Sequence, residues 1–503
     1  MKQRARVALL LMLSAVAIRL SFPPFDLAPL MLFAWCPFLV ALRGRPWRSA
    51  LALGALHGLC LGLSAHGWIP QALVTNLAVP TWQAWAALIA VAATVAARCA
   101  AVGAAVAFAS ARGVPLWVAF PIFQVCAELL VPGFFPWTNA LAMHSMPLFT
   151  QLANVGGAAI VSLWICLVNA LVLQAVIAFI EKGGMTRAGS PLLAALGTLL
   201  FVGAFGLWAF ARDVVRRNAA PRLGVALGHY VSTTAHENAI PTLRNLAIEH
   251  ESSKPPDLLV WPETTSPEPI RLSSIPALTR DYWRRDRQRP PSTPRLRSLL
   301  LLGAVVDDRG ALENSALLVD GSGQLLGRYT KMNLLPVGET GLPLPGTLGR
   351  SASSFRAGTE GQTLEVDGHS LAVSICFEDI LAEAVRSEVV RTNATLLVNV
   401  TSDRWFKDTS AVDFHFALAK LRAVEHGKYL VRSTRDGVTG VVDSTGRVVA
   451  QAEGTHSTIV PADVPLMVGL SPYSWLSPWL HASCLAAAAT LLIYARVRRA
   501  VPV

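Results

Sequence analysis

The 503-residue chain is 53% hydrophobic and only 15% charged, a composition that excludes an ordinary soluble protein and allows more than one domain. Its net charge of +11 sits largely in arginines flanking apolar runs, which points to membrane orientation rather than to nucleic acid. Up to residue 211 the only acids are Asp26, Glu128 and Glu181, and all others lie between Asp213 and Asp463. The chain therefore divides into a membrane part and a water-facing part.

Taken in order, Lys2, Arg4 and Arg6 precede an apolar run that reads as a retained anchor, because a second apolar stretch follows at once and Phe22-Pro23-Pro24 is a poor cleavage site. Apolar segments near 7–21, 27–42, 50–69, 83–110, 115–131, 153–180, 191–211 and 480–495 give a helical bundle of about eight spans. With that count Arg43, Arg45, Arg48, Arg112, Lys182, Arg187, Arg496, Arg498 and Arg499 share one side with the N-terminus. The positive-inside rule makes that side the cytoplasm. Residues 218–470 are then expected outside the cytoplasmic membrane, in the periplasm of a Gram-negative cell, between a membrane domain at 1–217 and a last helix and tail at 471–503. Within the bundle Glu128 is a costly intramembrane acid for which Arg98 is a candidate partner. Phe134-Phe135-Pro136-Trp137 reads as an interfacial aromatic patch, and Gly156-Gly157 as a place for close helix contact.

From 218 on, short apolar runs alternate with polar helical stretches: 223–227, 258–260, 299–306, 317–319, 371–375, 396–400, 430–432 and 438–443. This is an α/β pattern sized for one domain. The basic, proline-rich stretch 284–297 reads as an exposed loop. Six of the seven cysteines fall in apolar segments and serve as packing. The seventh, Cys376, ends a strand in Ser374-Ile375-Cys376-Phe377-Glu378, where a thiol can be held rigidly. Val260-Trp261-Pro262-Glu263 sets a carboxylate past another strand, and Tyr329-Thr330-Lys331 sets a lysine after a hairpin of 317–319 with 325–328. Together they supply a nucleophile, a base for its proton and a cation for an oxyanion.

The order Glu263, Lys331, Cys376 resembles the nitrilase superfamily. The words Trp-Pro-Glu, Leu335-Pro336-Val337-Gly338-Glu339 and Cys-Phe-Glu, with the membrane halves, resemble its membrane-bound branch, the apolipoprotein N-acyltransferases, over nearly the whole chain. The resemblance implies an αββα sandwich for 218–470 and a catalytic Glu263, Lys331 and Cys376. It places Glu339, Glu378 and the Phe377 backbone in support of them. It also implies an aromatic pair, Trp405 and Phe406, near an acyl pocket, with Phe135 and Trp137 on the lipid side. Arg404, Lys407 and Arg435 stand where the family commonly has other residues, Lys407 replacing a glycine and Arg435 an asparagine, which bears on substrate preference.

The expected activity is phospholipid-dependent acyl transfer through a Cys376 thioester to the N-terminal amine of a diacylglyceryl-cysteine apolipoprotein. No metal or other cofactor and no nucleic acid are expected, and a monomer in the bilayer suffices. A membrane-tethered amidase that passes its acyl group to water, and an acyltransferase with another amine acceptor, use the same three residues.

Overall fold

The computed structural model describes residues 2–131, 133, 135–182, 185–233, 237–251, 255–266, 268–271, 298–335, 339–340, 355–359 and 362–498. Phe134, the loop 284–297, Pro336-Val337-Gly338 and Arg499, all noted in the sequence, lie outside them. Two compact units emerge: Met1–Ala211 with Ser471–Val503, and Arg212–Leu470.

Among the described residues five helices are long and apolar enough to cross a membrane: Trp47–Ala65, Thr81–Ser110, Ala153–Glu181, Ala188–Ala219 and Pro472–Val497. The other three of the eight expected spans take different forms. The stretch 27–42 breaks into a 3-10 turn, Ala28–Leu32, and a short helix, Cys36–Leu42. Pro29 and Pro37 each sit in the first turn of their piece, where a missing amide donor starts a helix but does not continue one. Leu116–Leu130 has 15 residues, about 22 Å at 1.5 Å per residue, less than a hydrocarbon core of about 30 Å. Lys2–Leu20 carries four cationic side chains within its length.

Trp47–Ala65 and Thr81–Ser110 pack backbone to backbone through Gly54, Gly58 and Gly62. A Cβ on Gly58 would come within 2.6 Å of the Val95 carbonyl oxygen and 2.7 Å of the Ala96 Cα. Small residues at this spacing let helices approach where lipid gives no hydrophobic drive. Gly58→Leu is therefore expected to lower the melting temperature in detergent, whereas Gly197→Leu, where a Cβ meets nothing within 4 Å, leaves it nearly unchanged. Thermal unfolding of the two variants checks this.

Arg98 and Glu128 make no direct ion pair within 4 Å of each other, and each has its own hydrogen-bond partners. Arg98 donates to the Trp137 carbonyl at 2.9 Å, and Glu128 accepts from the Asn139 amide at 3.1 Å and the Gln124 side chain at 3.2 Å. Both grip the segment that connects the helices, because its free backbone groups need partners inside an apolar bundle. Phe135 and Trp137 are buried in this unit. Phe135 packs edge-on against Trp68, and Trp137 against Phe22 and His66. At Gly156 a Cβ would lie 2.7 Å from Leu480, so the glycine admits the C-terminal helix.

Among its described residues the second unit holds thirteen strands: β1 Arg222–His229, β2 Leu258–Trp261, β3 Ile270–Arg271, β4 Leu299–Asp308, β5 Ala311–Val319, β6 Leu325–Thr330, β7 Leu364–Val366, β8 His369–Ile375, β9 Leu396–Ser402, β10 Leu430–Arg435, β11 Thr439–Val442, β12 Val448–Ala452 and β13 Thr458–Pro465. One sheet runs β13-β1-β2-β4-β5-β6 with β3 beside β4, the other β12-β11-β10-β9-β8-β7. Strand alternation sorts the apolar residues into layers. Leu223, Val225 and Leu227 face Val373, Ile375, Val398 and Val400 across the space between the sheets. Ala226, Leu259 and Leu300 point outward onto the helix Ile240–Glu251. Ala372, Leu397 and Leu430 point the other way, onto Ala382–Thr392 and Ala411–His426. The result is a nitrilase-like sandwich of helix, two sheets and helix.

Candidate active site

The three residues singled out in the sequence stand at the ends of β2, β6 and β8. Pro262, lacking an amide donor, ends the β2 ladder and delivers Glu263. A Cβ at Gly303 of β4 would lie 2.5 Å from the Glu263 Cα, so only glycine admits this turn. Lys331 follows β6, fixed by its amide donating to the Asn314 carbonyl at 2.8 Å. Cys376 leaves β8 with φ +50°, in the left-handed region that L residues avoid, and opens the 3-10 turn Cys376–Ile380. Such strain persists only where the surroundings enforce it.

Glu378 does the enforcing. Its Oε2 accepts from the Ile375 amide and the Tyr329 hydroxyl, both at 2.9 Å, and its Oε1 from the amides of Met332 at 2.8 Å and Asn333 at 2.9 Å. This one buried carboxylate staples the cysteine turn to the segment that carries Lys331. Burial raises its carboxyl, and the Asn333 and Ile375 amides oppose the rise. Its role is scaffold.

The cluster that Glu263, Lys331 and Cys376 form with Glu339 is nearly closed to water: Lys331 is 1% exposed, Glu263 5%, Cys376 6% and Glu339 6%. Lys331 Nζ lies 3.6 Å from Glu263 and 2.9 Å from Glu339. Asn314 Nδ2 donates to both carboxylates, at 2.7 and 2.9 Å, and the Leu335 amide donates to Glu339 at 2.7 Å. Burial raises the Glu263 carboxyl, with Glu339 adding to the rise and Lys331 opposing it. Burial works against the charge of Lys331, yet Glu263, Cys376 and Glu339 hold its ammonium well above the ordinary lysine value. Burial and the charge of Glu263 push the Cys376 thiol up. These directions favour a neutral thiol beside the Glu263 carboxyl group, with the Lys331 cation fixed next to them. The site can pass a proton from thiol to carboxylate and offer a cation to an oxyanion.

The Phe377 side chain packs half-buried against the core between the sheets. Trp405 and Phe406 lie half-buried on the 3-10 turn Asp403–Phe406, which begins beside Ser402, whose carbonyl is 4.0 Å from Cys376 Sγ. Lys407 donates to the Ser232 carbonyl at 3.0 Å and contacts Asp436 at 3.2 Å. Among the described residues no group of three or more His, Cys, Asp or Glu is placed to hold a metal ion.

Two sets of residues escape sequence reasoning. Asn314 bridges both carboxylates, and its signal is a polar Glu313-Asn314-Ser315 patch within a buried strand. The other is a buried ring beneath the cysteine turn. His415 joins Asp379 at 2.9 Å to Asp403 at 2.6 Å, and Arg432 contacts the same two carboxylates. Its signal is Arg432 inside the apolar strand Leu430–Arg435.

Residues 14–171 match the family model of the apolipoprotein N-acyltransferase N-terminal domain, and residues 292–469 that of the carbon-nitrogen hydrolases. Among curated relatives, apolipoprotein N-acyltransferase of Geobacter metallireducens is 27% identical, covering 98% of this chain and 96% of its own length. The Pseudomonas paraeruginosa protein of the same name is 29% identical over 97% and 96%. Solved structures include an amidase from Nesterenkonia sp. at 20% identity, 52% of this chain, 95% of that chain and TM-score 0.37. The NitFhit protein of C. elegans is similar at 22% identity, 49% of this chain, 62% of that chain and TM-score 0.38. With its N-terminal and carbon-nitrogen hydrolase segments matched in order, and relatives aligned along almost its full length, the chain belongs to the apolipoprotein N-acyltransferases, the membrane-bound branch of the carbon-nitrogen hydrolases.

Proposed function

We propose that the chain moves a fatty acyl group from a membrane phospholipid to the N-terminal amine of a diacylglyceryl-cysteine apolipoprotein. The observation that carries this reading is the dry cluster of Glu263, Lys331 and Cys376, with Glu339 and Asn314 fixing it. Glu263 takes the Cys376 proton as sulfur attacks the ester carbonyl. Lys331 Nζ and the Phe377 amide stabilise the oxyanion. The tetrahedral intermediate collapses, Glu263 returns the proton to the leaving alkoxide, and a lysophospholipid departs from the thioester. The amine then attacks the thioester, Glu263 accepts its proton and passes it to the departing sulfur, and an amide and free thiol result. Exclusion of water favours the amine over hydrolysis.

Seven crossings before the catalytic domain and one after it, with both termini cytoplasmic and residues 218–470 periplasmic, suit this chemistry, since both substrates are lipid-anchored. The Arg43–Glu181 ion pair supports the topology, because it joins two helix ends that the arginine pattern puts in the cytoplasm. Trp82, Trp85, Trp475 and Trp479 are exposed near helix ends assigned to the outer face, and Trp47 and Trp117 near ends assigned to the inner one. Such tryptophans settle at membrane interfaces. A monomer contains the whole cluster.

The test is intact-protein mass spectrometry after incubation with phospholipid, with and without a diacylglyceryl-cysteine peptide. A fatty-acyl mass that is absent from Cys376→Ala and passes to the peptide amine is the expected result. Acyl mass lost only to water would identify a hydrolase, and acylation of Cys376→Ala would overturn the nucleophile.

A further inference from the structure

We infer that Arg435 is a positioning residue that sets the general base by holding the main chain of its turn. The inference deepens the functional reading above, since it rests on Glu263 as base. Arg435 ends β10 and is 3% exposed. Its guanidinium reaches to the other sheet, where Nη1 donates to the Thr264 carbonyl at 3.3 Å and Nη2 to the Glu237 carbonyl at 3.2 Å. It also lies over the Tyr230 ring, 5.3 Å from its centre.

Thr264 directly follows Glu263 and has φ +52°. A β-branched residue in that region is a strained one and needs outside support. The support comes from three directions. Thr265 Oγ1 donates to the carbonyls of Pro262 at 2.7 Å and Gly303 at 2.8 Å. The Ala239 amide donates to the Thr265 carbonyl at 3.0 Å. Arg435 is the only side chain recorded on the Thr264 carbonyl among the described residues. Asn314 and Lys331 hold the carboxyl end of Glu263, so the direction in which the carboxylate leaves the main chain depends on this turn.

Arg435 is itself firmly based. The Asp436 amide donates to the Tyr230 carbonyl at 2.8 Å, and the Tyr230 amide to the Thr434 carbonyl at 3.1 Å, joining the ends of β1 and β10. Asp436 accepts from the Ser232 amide at 2.9 Å and from Lys407 at 3.2 Å. Lys407 and Arg435, two departures from the common family pattern, thus form one support through Asp436. The largest charges acting on Glu263 are those of Lys331 and Glu339, whereas Arg435 touches the main chain of the turn at the Thr264 carbonyl.

The experiment measures alkylation of Cys376 by iodoacetamide against pH, alongside acylation kcat and KM with phospholipid, in wild type, Arg435→Gln and Arg435→Lys. A displaced base slows proton removal without weakening lipid binding. Arg435→Gln should therefore alkylate about tenfold more slowly at neutral pH, with a pH profile changed from that of wild type. Its acylation kcat should fall about tenfold while KM stays within about twofold. Arg435→Lys, which can reach one of the two carbonyls, should show a smaller change in the same direction. Wild-type alkylation profiles and kcat, with only a lowered melting temperature, would overturn the proposal. Should Arg435→Gln fail to fold, Arg435→Lys decides alone, and a profile identical to wild type overturns it. Alkylation needs no lipid, so a wild type that forms no acyl-enzyme would count against the functional reading and not against this one.

Discussion

Glu263→Gln should slow acyl-enzyme formation by about 10²- to 10⁴-fold, the range that a lost general base costs. The size follows from the state of the nucleophile. Burial and the neighbouring carboxylate keep the Cys376 thiol protonated, so no resting thiolate waits for substrate. The proton must leave during attack, and Glu263 is the carboxylate placed to take it. Glutamine keeps the length of the side chain and an oxygen for the Asn314 donor now 2.7 Å away. Lys331 retains Glu339 at 2.9 Å, so the variant should fold with a nearly unchanged melting temperature. The pH dependence separates chemistry from packing. In wild type, activity needs Glu263 ionised, and burial raises its carboxyl above the ordinary 4.5. The acylation rate should therefore fall as pH drops through that raised value, and the glutamine variant should lack this limb. Single-turnover acylation across pH reads both features, and a variant that kept the acid limb would point to a different base.

The three residues proposed to perform the chemistry are legible in the sequence because each ends an apolar strand abruptly. Pro262 cannot extend β2, and the acidic pair Glu378-Asp379 cannot continue the apolar strand β8. A carboxylate, a lysine and a thiol at three such ends stand out against apolar neighbours. The hairpin of β5 and β6 was legible as well, with Leu317 opposite Arg328 and Val319 opposite Leu325. Asn314 was not, because a single polar residue in a strand looks like an outward-facing position until the strand's partners are known. The same holds for Arg432, which finds its carboxylates 53 and 29 positions away in sequence. In the membrane unit, hydropathy marked the apolar stretches but not their continuity. Proline at 29 and 37 divides one of them, and the backbone groups released near Trp137 and Asn139 recruit Arg98 and Glu128 separately. Phe135 and Trp137 carry the composition of an interface, yet inside this unit they serve as packing.

The buried ring under Cys376 is where a single substitution should cost the most stability. Asp379 lies three residues after Cys376, and Asp403 opens the turn that bears Trp405. His415 and Arg432 each touch both acids, and all four residues are at most 1% exposed. With His415 protonated the ring holds two positive and two negative charges, and its low-dielectric setting makes each pairing indispensable to the other. Arg432→Met keeps most of the volume and removes one cation, leaving the two carboxylates to share His415. Breaking such a buried pair costs about 3–5 kcal/mol, which should lower the melting temperature by roughly 10 °C. The pH dependence gives a second reading. Burial and Arg432 oppose the charge on His415, but Asp379 and Asp403 prevail and raise it from 6.5 to about 9. Its contribution is complete below 6.5 and is lost as pH rises through about 9. Burial opposes the charge of Asp403, yet His415 and Arg432 hold it below its ordinary 3.8, so its share is present above 3.8 and is lost as pH falls through the depressed value. Wild type should thus hold a plateau of thermal stability between these limits. Removing Arg432 removes a charge that opposes His415, so the alkaline fall in the variant should move to higher pH even as the plateau drops. Melting curves from about pH 5 to about pH 10 test both shifts together. An unchanged alkaline edge would show that Arg432 and His415 do not share the ring's charge, however large the loss of stability.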